Sequence, residues 1–291
     1  MTWQITILLQ IITSAFLTIF TRTLTLSVRR VFFGVGLISY ATIALAGLMY
    51  CVMHIGTLPK LPGGAVWFYL LIDGLFIPAS WLVQYKIITH LGAANAVIVL
   101  SANMITSTLV GILFFRETLS ISFLVGAVLI LTGILISLKI KPDIEHSSKM
   151  SAPAKAGLII VCSILFAIGM FGEKMAINQL GPWHYMAYGW LMQFVGVLAL
   201  FLLFGRSEMK HMNIVIAKKA TLLGAITSVA GLLYVYALSK GSLSYTVVAI
   251  SGKSALVLVL AAIFLKERNQ MQFRILAFIT VVVGLVLILH S

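Results

Sequence analysis

Long apolar runs alternate with short polar interruptions along the whole chain. Each run is about 20 residues long, the length a helix needs to cross a roughly 30 Å hydrocarbon layer. The pattern predicts ten spans, at roughly 3–24, 31–53, 65–85, 92–114, 119–138, 155–177, 183–204, 220–239, 244–265 and 271–289. Most connections are short and several carry Gly or Pro, as in "GTLPKLPGG" at 56–64, "LGP" at 180–182 and "SKGS" at 239–242. Short connections imply antiparallel neighbours in a bundle. Two connections are longer and polar, at 139–155 and 205–219.

The first of these divides the chain into two sets of five spans. "FFRE" at 114–117 and "FLKE" at 264–267 occupy the corner between the fourth and fifth span of each set. An offset of 150 aligns Val97 with Val247, Ser101 with Ser251, Phe114 with Phe264 and Glu117 with Glu267. The expected organisation is a first five-helix repeat over 1–140, a linker over 141–154 and a second repeat over 155–291. An odd number of spans per copy turns the second copy upside down in the bilayer, the arrangement many secondary transporters use. The predicted fold class is an all-α integral membrane protein with ten transmembrane helices in two inverted five-helix repeats.

Composition agrees with this pattern. The chain is 61% hydrophobic and 9% charged, with a mean hydropathy of +1.12, whereas a soluble domain carries about 25% charged residues. The net charge of +13 belongs to the connections, where Lys and Arg collect for topological reasons. No soluble basic domain is present to bind nucleic acid. Connections after odd spans hold 15 Lys and Arg, those after even spans hold 4, and Lys253 falls inside a span. By the positive-inside rule that asymmetry puts both termini outside the cytoplasm.

Ionisable groups inside apolar spans are costly, so they mark candidate chemistry. Lys253 lies near the middle of the ninth span, and the 150-residue offset pairs it with Asn103. At equivalent depths of inverted helices the two would converge near a pseudo-two-fold axis. Asp73, five residues before Pro78, can bind a cationic substrate, carry a proton, neutralise Lys253 or only hold helices together. Glu173 and Lys174 near the end of the sixth span, and Arg22 near the end of the first, are coupling or gating candidates that also suit interfacial anchoring. Trp190, Gln193, Tyr236 and Ser251 are candidate wall residues of a substrate cavity. The aromatic cluster Trp183, Tyr185, Tyr188 and Trp190 also fits an interfacial belt. Glu117 and Glu267 suit the dipole of the helix that follows each of them. Cys51 and Cys162 fall within spans as packing residues. Six scattered histidines suggest no metal site, and no nucleotide-binding or cofactor motif is present.

The corner and the helix after it resemble the EamA family of the drug/metabolite transporter superfamily. "FFRETLSISFLVGAVLILTGILI" supplies Glu117, Gly126 and Gly133 of that pattern; "FLKERNQMQFRILAFITVVVGLVLI" supplies Glu267, Arg268 and Gly284, with Ala277 at the remaining glycine position. "LGPWHYMAYGWLMQF" resembles the opening of the second unit's second helix, with Gln193 where an arginine is often found. The resemblance implies two five-helix units, a small-molecule substrate, a lipid-embedded protein of the plasma membrane (the inner membrane in a bacterium) and cytoplasmic termini, against the charge asymmetry. The functional expectation is secondary transport of a small polar or amphipathic metabolite by alternating access, as monomer or homodimer. A non-transporting membrane scaffold and a membrane-embedded lipid-modifying enzyme are the alternative classes.

Overall fold

Water is absent from a bilayer core, so a chain crossing it must satisfy its own backbone, and helices do this within one segment. The computed structural model describes residues 2–27, 31–57, 61–91, 93–137, 152–264 and 270–290. Its regular structure is helical throughout: α1 (Trp3–Ser27), α2 (Phe32–Ile55), α3 (Val66–Leu91), α4 (Ala93–Phe115), α5 (Ile121–Ser137), α6 (Ala152–Leu200), α7 (Ile214–Lys240), α8 (Leu243–Ser251), α9 (Lys253–Phe264) and α10 (Met271–Leu289). Among the described residues six runs are long and apolar enough to cross a membrane. Most of the predicted linker, and Glu267, lie outside the described residues.

Three boundaries differ from the hydropathy pattern, each for a local reason. The helix α6 holds two of the expected spans, joined at Gly181, whose φ of 74° and ψ of 165° only glycine adopts without strain. Pro182 follows with no N–H to leave unsatisfied and opens the next helix. The expected 205–219 connection is shorter, because α7 starts at Ile214 with Asn213 Oδ1 accepting from Ile216 N at 2.9 Å, an N-cap. The expected ninth span is divided at Gly252 into α8 and α9.

The helix starts carry a period. Those of α1 to α5, at 3, 32, 66, 93 and 121, recur 148 to 150 residues later at 152, 182 (after the Gly181 break), 214, 243 and 271.

The chain forms two compact units, each drawing on both halves of the sequence: residues 1–19, 80–167 and 241–291 in one, 20–79 and 168–240 in the other. In the first unit α5 and α10 pack antiparallel through small residues. A Cβ on Gly126 would lie 2.7 Å from the Gly284 carbonyl, and one on Gly133 2.9 Å from that of Ala277. Small residues let membrane helices approach closely enough for dispersion and weak hydrogen bonds to hold them. Beside this pair, Glu117 accepts from the backbone N–H groups of Leu243 at 2.5 Å and Ser244 at 2.9 Å. It therefore caps α8, far away in sequence, rather than the adjacent α5. The dipole reasoning holds, but for a different helix. Since α8 starts at this corner and packs along α4, the two run antiparallel.

In the second unit α3 is gripped between the two limbs of α6. Gly169 and Gly172 face Ile77 and the Tyr69–Asp73 stretch, and Gly196 faces the Gly74 carbonyl. Pro78 lies inside α3 without breaking it. Having no N–H, it leaves the Gly74 carbonyl without its helical donor, and the side-chain-free Gly196 backbone covers that oxygen. Glu208 caps α2 as Glu117 caps α8, accepting from Phe33 N at 2.7 Å and Gly34 N at 3.2 Å.

Replacing Glu117 with alanine removes an acceptor shared by two N–H groups. The variant is expected to lose about 0.5–2 kcal/mol, the range of helix-cap deletions, read as a lower Tm of the purified protein in detergent. Glu117→Gln, whose amide oxygen still accepts, falls in between.

Candidate functional site

The α3–α6 crossing that makes Gly172 and Gly196 necessary also sets Asp73 beside Glu173. In this second unit Asp73, Glu173, Tyr185 and Gln193 are 0%, 4%, 0% and 7% exposed. The Tyr185 hydroxyl lies 2.9 Å from Asp73 Oδ2 and 3.1 Å from Glu173 Oε1. Gln193 Nε2 donates to Asp73 Oδ1 at 2.9 Å and to the Tyr185 oxygen at 3.2 Å. Tyr234 of α7 and Tyr40 of α2 lie within electrostatic range of both carboxyls. Two acidic groups, one phenol and one amide thus form a closed network at the centre of the unit.

Lys174 shares this depth. The hydropathy pattern puts it and Glu173 near a span end, but the helix runs on to Gly181 and buries both. The Lys174 ammonium donates to the Leu238 carbonyl at 2.6 Å, so it is held by protein and does not reach a headgroup. The Trp190 indole lies over Gly47 and Gly231 and meets Tyr50 edge-on at 6.2 Å. Tyr236 stands elsewhere in the unit, in a cleft of ≈590 Å³ with His54, Trp183 and Lys240. There His54 stacks on Trp183 at 3.9 Å, and the Lys240 ammonium sits 5.9 Å from the Tyr236 ring centroid. Trp67 donates to the Pro62 carbonyl at 2.8 Å and meets Tyr188 edge-on, an interfacial arrangement.

The first unit holds a second set of polar groups, distinguished by missing partners. Gln10 Oε1, Asn103 Oδ1, Ser107 Oγ and Ser163 Oγ are buried with no hydrogen-bond partner among the described residues. Asn103 and Ser107 share one face of α4, a helical turn apart. The Thr106 hydroxyl on the flank of that face lies 3.3 Å from the Ser163 carbonyl, which places α6 against it. The antiparallel register of α4 and α8 starts with Ser244 beside Gly111. Seven residues further, about 10 Å along each axis, it brings Ser251 level with the Asn103 turn. Lys253 opens α9 just beyond, half-buried, with no hydrogen bond or ion pair among the described residues. The Ser251 hydroxyl is already used, donating to Val247 O at 2.9 Å. Arg22 lies in α1, and its side chain is outside the described residues.

Sequence reasoning missed Tyr185, Gln10, Ser107 and Ser163. Tyr185 looked like one more ring of an aromatic belt. Gln10 carried a usable signal as a polar residue inside the run "ILLQII", overlooked in favour of charged groups.

The two sets differ in what substitution should do. Gln193→Leu strands Asp73 Oδ1 and is expected to cost about 1–3 kcal/mol, the penalty of an unpaired buried group. Asn103→Leu removes an acceptor that has no protein partner, and should leave the Tm unchanged or raise it. Thermal unfolding in detergent checks both.

No curated protein matches the chain. Among the solved structures that match it, one titled only "Crystal structure of protein" does so with a TM-score of 0.75 and 13% sequence identity, covering 98% of this chain and 95% of that one. At that identity the likeness concerns the fold. The profile of the EamA-like transporter family matches twice, over residues 1–139 and 155–290. With nearly the whole length matched, the chain belongs to the EamA-like transporter family, a multi-pass membrane protein of the plasma membrane.

Proposed function

We propose that the protein is a secondary transporter in which two inverted five-helix repeats, residues 1–140 and 155–291 joined by the 141–154 linker, make ten spans and move a small polar or amphipathic metabolite by alternating access. The helix starts that recur after 148 to 150 residues support the duplication. Inversion is favoured because the equivalent helices α5 and α10 pack antiparallel about Gly126 and Gly284. Inverted repeats of this kind interconvert outward-open and inward-open states by exchanging the conformations of their halves.

The observation that carries the reading is the set of buried polar atoms on α1, α4 and α6, two amide oxygens and two hydroxyls, with no hydrogen-bond partner among the described residues. A dehydrated polar atom with no partner costs about 1–3 kcal/mol, and proteins seldom retain several without a use. In a transporter the missing partner is the substrate, which meets Asn103, Ser107 and Ser163 when bound and leaves them with water or nothing otherwise. Lys253 supplies the charge for an anionic group of the same substrate. No nucleotide-binding motif is present, so the driving force is an ion gradient or the substrate's own gradient, and Asp73 is the group assigned to ion coupling.

Purified protein reconstituted in liposomes and screened with labelled metabolites is expected to accumulate at least one of them. Lys253→Ala should abolish that uptake while the protein remains folded by its melting curve. Liposomes that move no solute, together with a Lys253→Leu variant indistinguishable from wild type, would instead fit a non-transporting scaffold.

A further inference from the structure

A phenol has one hydrogen to donate, yet the Tyr185 hydroxyl lies within hydrogen-bond distance of a carboxyl oxygen on each side, Asp73 Oδ2 at 2.9 Å and Glu173 Oε1 at 3.1 Å. A third neighbour, Gln193 Nε2, is a donor and gives Tyr185 no further hydrogen. If both carboxyls were ionised, one would face the bare phenol oxygen across about 3 Å with nothing between them. Two adjacent negative charges in an apolar interior would add repulsion that a single proton relieves. The network is therefore one hydrogen short, and a proton on either carboxyl completes it.

We propose that Asp73, Tyr185 and Glu173 form a proton-binding relay, holding one exchangeable proton between two carboxyls through the phenol. The transfer is balanced in each direction. As the Asp73 O–H bond breaks, its proton forms a new bond to the Tyr185 oxygen. The original Tyr185 hydrogen leaves at the same time and forms the Glu173 O–H bond. The phenol is unchanged at the end, and the pair's single negative charge has moved from Glu173 to Asp73. Gln193 fixes the direction in which the network is read, since its donation to Asp73 Oδ1 stabilises the charge on Asp73 and leaves Glu173 as the resting place of the proton.

The titratable groups within range of the pair come from the surrounding helices: Tyr40 from α2, Tyr185 from α6 and Tyr234 from α7, while the Lys174 ammonium, next in sequence to Glu173, donates to the Leu238 carbonyl. Tyr234 lies within electrostatic range of Glu173, and its hydroxyl donates to Met170 Sδ at 3.2 Å.

That this proton drives transport rests on the transporter reading above; that it is bound does not. The decisive measurement is infrared spectroscopy of the full-length protein in liposomes as pH is raised. At neutral pH the wild type should show a protonated-carboxyl C=O stretch that shifts in D2O and disappears at alkaline pH. Glu173→Gln and Asp73→Asn should each abolish it, because the remaining carboxylate then takes the Tyr185 hydrogen alone. Tyr185→Phe, which lacks the bridge, should shift the band. A wild type without the band at neutral pH, or a band that survives in both single variants, overturns the relay. In the same liposomes, uptake driven by a pH gradient should be lost in Glu173→Gln. An intact band beside a complete absence of transport would overturn the transporter reading and leave the relay standing.

Discussion

A polar atom inside a bilayer-spanning protein has no solvent to fall back on, and its partner must come from the protein or from whatever the protein carries. This constraint accounts for features that otherwise look unrelated. The first N–H groups of α8 and α2 would be orphans at buried corners, so the carboxylates of Glu117 and Glu208 are brought to them across 126 and 175 residues of chain. Pro78 strips a donor from Gly74, and Gly196 closes over the exposed carbonyl because a larger residue would collide with it. The same closeness draws α3 against α6, and so brings Asp73 to Glu173. Packing and chemistry are settled by the same contact.

The two polar sets answer the constraint in opposite ways. Around Tyr185 almost every donor and acceptor has a protein partner, and the remaining deficit is a single hydrogen, which only a proton is small enough to supply. On α1, α4 and α6 the deficit, among the described residues, is whole partners for two amide oxygens and two hydroxyls, which a proton cannot replace and a hydrogen-bonding molecule can. A network lacking one hydrogen and a wall lacking several partners are the two features on which the proposed proton-coupled transport rests.

Much of this fold was legible in the chain because its signals are local or periodic. Apolar run length marked the helices, Gly181–Pro182 marked a break, and the recurring corner fixed an offset that later reappeared in the helix starts. Gly126, Gly133 and Gly284 stood out through the resemblance to the EamA pattern, and they proved to be where α5 meets α10. Partner choice was not legible. Glu117 satisfies a simple dipole rule at its own corner, yet it serves α8, since only the tertiary fold decides which helix start arrives there. Gly252 carries no proline to announce a break. Tyr185 hides among aromatic residues whose clustering fits an interfacial belt, and its bond to Asp73 spans 112 residues.

Glu173 and Lys174 show why depth is the hardest property to read from sequence. Hydropathy averages over a window, so two adjacent charged residues lower the mean and seem to end the span that contains them. The helix here continues for two more turns, and the dip in hydropathy marks a buried polar centre rather than an approach to water. The same dip has two causes that composition cannot separate, a span end or a site. What separates them is the residue that stops the helix. Gly181 and Pro182, seven and eight residues beyond Lys174, put the end where backbone geometry demands it. A charged pair well upstream of its own helix terminator belongs to the interior, and the partners that make it tolerable there are the first place to look for function.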